Sequence, residues 1–106
     1  MLPRSTDGYA RLEQELHQER ASALGRIGRT LESWLTRMEV IRVAASRPDA
    51  DHVRLAADHA DARAAALRWR WYLEVQREAV GIRRHDRLDE MYPVPPPIAG
   101  PPASIP

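Results

Sequence analysis

Cysteine, lysine, asparagine and phenylalanine are absent from this chain. Without cysteine there is no disulfide, no thiolate nucleophile and no Cys-rich zinc site. Without lysine, all 16 basic residues are arginine. A GC-rich coding sequence favours arginine, alanine and proline codons at the expense of those four residues, so the arginine content is not in itself a nucleic-acid signature. The formal net charge of +1 argues the same way, because proteins that neutralise phosphates carry a marked basic excess. Aromatic residues make up only 6% of the chain, and alanine supplies much of the 43% that is hydrophobic, which predicts a thin core. No run approaches the roughly 18 apolar residues of a membrane span. The opening Met1-Leu2-Pro3-Arg4-Ser5-Thr6-Asp7 lacks the apolar centre of a secretory signal. The expectation is a cytoplasmic protein with no membrane contact. No serine or threonine stands beside a histidine in a nucleophile pattern, and there is no glycine-rich phosphate loop, so neither an enzyme nor a bound cofactor is expected.

What the chain does contain is a pair of apolar ladders on either side of Pro48. Leu24, Ile27, Leu31, Trp34, Met38, Ile41 and Ala45 descend to it, and Ala50, Val53, Ala57, Ala60, Ala64, Leu67 and Trp71 rise from it. Steps of three and four keep each set on one face of an α-helix. Folding at Pro48 sets Trp34 against Ala60, Leu31 against Ala64 and Leu24 against Trp71, large residues against small ones as in close helix packing. Ser46-Arg47-Pro48-Asp49 reads as a capping box with proline at the first helical position, ending one helix and starting the next. The predicted fold is all-α: a disordered lead over 1–6, an antiparallel hairpin over 7–91 and a Pro-rich extended tail over 92–106. Within the hairpin one helix runs from about 7 to 46, the turn occupies 46–48 and the second helix runs from about 48 to 90.

A second apolar stripe on the second helix, Trp69, Leu73, Gln76 and Val80, is offset from the first ladder. One partner helix covers one stripe, so these four residues are the candidate homodimer interface, two hairpins forming a four-helix bundle. The rival cover is the chain's own tail. Arg20 falls in a ladder slot opposite Val75, its stem packing while the head reaches the edge or pairs with Glu74 or Glu78. Gly25 and Gly28 cost about 1 kcal/mol each inside a helix, and in this register they either make room for indole rings or kink the helix.

Seven of the last 14 residues are proline, which removes donors and excludes helix. Val94 and Ile98 lay this strip over the bundle in one reading. In a second, Tyr92, Pro93, Pro95, Pro96 and Pro97 form a docking strip for a protein partner, and in a third the tail is inert. Arg83, Arg84 and Arg87 cluster at the end of the second helix, where they either complement its dipole or contact an acidic surface or phosphate backbone. Asp51-His52 and Asp58-His59 repeat at a spacing of seven, with Asp61 and Glu39 near. They are about 10 Å apart along the axis, too far to share one metal ion, so no metal site is assigned and a solvated, pH-responsive flank is expected. The function that follows is a non-enzymatic interaction or assembly component with a protein partner. The alternatives are a nucleic-acid-associated accessory protein and, more remotely, a metal-binding bundle.

Overall fold

Between Pro3 and Pro48 no residue forbids a helix, and α1 fills nearly the whole interval, from Arg4 to Ala45. The computed structural model describes residues 4–99. Helix α2 spans His52–Ala79 and a short α3 spans Asp86–Met91, with no strand among the described residues. Two long helices joined by a turn therefore make a helical hairpin, in which α1 packs on α2. The helix begins at Arg4, earlier than expected, while residues 1–3 and 100–106 lie outside the described residues.

The turn is longer than the capping box suggested. Ser46 closes α1 instead of opening α2, its Oγ donating to the Val43 carbonyl at 2.6 Å. Asp51 is the residue that caps α2, accepting from the Arg54 amide at 3.1 Å. An aspartate at that position satisfies one of the orphan amides of the first turn. Helix α2 consequently starts at His52 and the connection covers 46–51.

That longer connection overturns the expected register. A shift of about two residues turns a helix face through about 200°, almost to its far side. The core is accordingly built from Leu31, Met38 and Ile41 of α1 with Ala62, Ala66 and Leu73 of α2. Leu24, Ile27, Trp34, Leu35, Leu55 and Trp69 pack half-buried around them. On α1 the expected ladder is the buried one. On α2 the expected ladder is outside: Val53 is 67% exposed and Trp71 58% exposed.

Helix α2 also stops well short of position 90. Gly81, with φ +91°, takes the left-handed position just past the helix end, which costs glycine nothing. The Gly81 amide donates to the Glu78 carbonyl at 3.0 Å and the Ile82 amide to the Arg77 carbonyl at 2.9 Å. This is the Schellman pattern of a helix terminus. The chain then doubles back as a strap over residues 80–99. Its α3 buries Leu88, and its Tyr92, Val94 and Ile98 pack against the hairpin core. The molecule is a rod of 86 × 22 × 17 Å with a radius of gyration of 20.8 Å, against about 13 Å for a compact domain of this length.

Candidate functional site

Helix α2 is apolar on two opposite sides. One carries Leu55, His59, Ala62, Ala66, Trp69 and Leu73 and lies against α1 and the strap. The other carries Val53, Ala57, Ala60, Ala64, Leu67, Trp71 and Val75, and every one of these is exposed. From Val53 to Trp71 their alternating steps of four and three residues are those of a coiled-coil seam. Over these positions the stripe is about 33 Å long at 1.5 Å per residue. Trp71 stands against the ring of Tyr72, centroids 5.4 Å apart, and Tyr72 in turn meets Trp69 edge-on at 5.4 Å. The large exposed side chain is thus steadied by an aromatic chain that reaches round to the inner side. One border of the stripe carries Arg54, Asp61 and Arg68, all exposed.

The other border carries Arg63, Arg70 and Arg77, again seven residues apart, and these three hold the strap. Arg77 Nη2 donates to the Arg84 carbonyl at 2.9 Å, Arg70 pairs with the Asp89 carboxylate, and Arg63 Nε donates to the Pro95 carbonyl at 2.9 Å. As the partner number falls along α2 the strap number rises, so the strap runs back toward the turn. His85 adds a contact from its Nε2 to Glu78 Oε1 at 3.0 Å. Tyr92 lies over Gly28: a methyl group there would sit 3.0 Å from the phenol oxygen. Gly28 therefore makes room for a phenol from the strap and not for the indoles. At Gly25 a methyl group would meet the flexible end of Arg29, at 3.3 Å.

His59 is 1% exposed, whereas a solvated flank was expected. Its Nδ1 is buried with no hydrogen-bond partner among the described residues. Burial, with the positive Arg63 guanidinium adding to it, holds its pKa below the ordinary imidazole value. Glu39, expected opposite the histidines, is exposed and engaged with Arg42 at 2.6 Å, which lowers its pKa. Among the described residues no group of three or more His, Asp or Glu side chains is placed to hold a metal ion. No helix among them is long and apolar enough to cross a membrane.

The residues singled out in the sequence scatter over these surfaces. Leu73, expected at a dimer interface, is buried at 5% exposure inside the hairpin, with Trp69 and Val80 half-buried and Gln76 exposed. Arg83 and Arg84 lie in the bend after α2 and Arg87 in α3, all exposed. They complement no dipole of α2, because α2 has ended several residues earlier. Tyr92 is half-buried, while Pro93, Pro95, Pro96 and Pro97 are exposed. Arg20 is exposed and borders an open groove with Glu15, Glu19 and Gln76. The arginine ladder was missed, although its spacing of seven is visible in the sequence. Comparison with family models, with curated proteins and with solved structures gives no match.

Proposed function

We propose that this protein is a non-enzymatic helical interaction component whose contact surface is the outward stripe of α2. The exposure of Trp71 together with Leu67 and Val75 in one column carries this reading. Single exposed apolar residues are ordinary on protein surfaces, but a continuous run containing tryptophan and leucine marks a place where another polypeptide is covered or covers. The seam spacing points to a helix as that polypeptide, laid along α2. The strap leaves this side of α2 open, since its three arginine anchors and its apolar residues all hold it elsewhere. Arg83, Arg84 and Arg87 add exposed positive charge in and after the bend that follows α2, suited to an acidic rim on the partner.

The test is a photoreactive side chain at Ala64, in the middle of the stripe, introduced into the full chain in its native cell. An adduct to a polypeptide from Ala64, with none from the same group placed at the exposed Glu32 of α1, supports the reading. Absence of any adduct from Ala64 defeats it.

A further inference from the structure

Resting on the reading of the outward stripe as the contact surface, we infer that its occupant is α2 of a second copy of this chain, packed antiparallel. In this arrangement Trp71 of each copy covers Ala60 of the other, and Leu67 lies beside Ala64. The stripe is graded in size, with alanines at 57, 60 and 64 and the bulky Leu67 and Trp71 at its far end. A parallel pair would set Trp71 on Trp71 and alanine on alanine, crowding one end and leaving voids at the other. Reversal of one copy lays Trp71 on Ala60 and Leu67 on Ala64, and a two-fold axis makes each of these contacts occur twice.

Charge selects the same arrangement independently. Asp61 and Arg68 are both exposed on one border of the stripe. In the register that stacks Trp71 on Ala60, the two reversed borders bring Asp61 of each copy beside Arg68 of the other. Sliding one copy by seven residues sets Asp61 against Asp61 or Arg68 against Arg68, depending on direction. A parallel pair does not bring Asp61 and Arg68 together, because there each border faces the opposite one. The opposite border does not oppose the antiparallel pairing, because Arg63 and Arg70 are turned onto the Pro95 carbonyl and the Asp89 carboxylate of their own strap. One helix face about 33 Å long is a small contact, so the dimer forms in a concentration-dependent way.

The experiment is sedimentation equilibrium of the full chain from about 10 to about 500 µM, on the wild type and on Asp61→Arg and Arg68→Asp. Both substitutions fall on exposed residues, and circular dichroism establishes that each variant remains helical. The expected result is a wild-type mass that rises toward twice the monomer, and at least a tenfold weaker association for each variant alone. An equimolar mixture of the two variants should regain the dimer, because each reversed pair then joins an arginine to an aspartate. Variants that associate as well as the wild type, or a mixture that stays monomeric, overturn the inference. The photoreactive group at Ala64 separates this failure from that of the broader reading. A self-adduct supports the dimer, an adduct to a different polypeptide overturns the dimer and leaves the stripe a contact surface, and no adduct removes both.

Discussion

Gly28 shows how one atom decides the sign of a substitution. Alanine is worth about 1 kcal/mol over glycine inside a helix, but at Gly28 the added methyl would meet the Tyr92 hydroxyl at 3.0 Å while the ring carbon behind it is at 3.8 Å. Gly28→Ala alone should therefore be neutral or destabilising, and the same change in a Tyr92→Phe background should stabilise by about 0.5 to 1 kcal/mol. Urea denaturation of the four proteins of this cycle measures the coupling, and additive effects would place the phenol elsewhere. His59 gives a pH dependence at the same scale. Its folded pKa lies below the ordinary value, so the folded state favours the neutral ring. That contribution is complete above about pH 6.5, the unfolded value, and is lost as pH falls below it toward the lowered folded pKa. The melting temperature should fall between about pH 7.5 and 5. In His59→Leu the slope across that window should be shallower, because an apolar side chain at the buried position has no proton to bind.

The two sides of α2 make opposite predictions for one substitution at the scale of the element. Leu73 is 5% exposed within the core, and Leu67 lies on the outward stripe. Leu73→Glu puts a carboxylate into the packed apolar core of the hairpin, and should cost at least about 3 kcal/mol, enough to unfold much of the chain. Leu67→Glu should change the melting temperature of the hairpin by only a few degrees. Thermal melts followed by circular dichroism distinguish them, and equal effects would mean that the outward stripe is part of the core. The helix ends follow the same local logic. Asp51 starts α2 and Gly81 stops it because each supplies what a helix terminus lacks, a side-chain acceptor in one case and a left-handed backbone in the other.

For the whole molecule the question is how a two-helix rod is stable with so thin a core. Two helices bury only one stripe each, and the strap adds Leu88, Tyr92, Val94 and Ile98 to the same cluster. Ending the chain at Tyr92 removes the last two apolar contacts and the acceptor of Arg63. The loss should be about 2 to 3 kcal/mol, and the melting temperature should fall by about 10 to 20 °C. A truncated chain that melts within a few degrees of the full one would show that residues 93–99 contribute little to the fold, which is the outcome expected of a docking strip.

Much of this architecture was legible in the sequence. The steps of three and four along Leu24 to Ala45 gave both the helix and its buried face, because α1 has only one continuous apolar side over that stretch. The break between the helices was legible at Ser46 to Pro48, though not its extension to Asp51, and the end of α2 was present in Val80-Gly81-Ile82, where the apolar pattern running on to Ile82 masked the glycine stop. The orientation of α2 was not legible. Leu55 to Leu73 and Val53 to Trp71 are both apolar stripes, so periodicity alone names two faces and cannot choose between them. The connection accommodates the chosen face: with α2 capped by Asp51 instead of Ser46 the register differs by about two residues, a turn of about 200°. That rotation buried Leu73 and His59, left Trp71 outside and set Arg63, Arg70 and Arg77 facing the returning strap. Local chemistry determined that there would be two helices and where they would break, because capping and periodicity act over a few residues. Which side of α2 became core and which became surface depended on contacts between segments distant in the chain, and only the tertiary structure decided it.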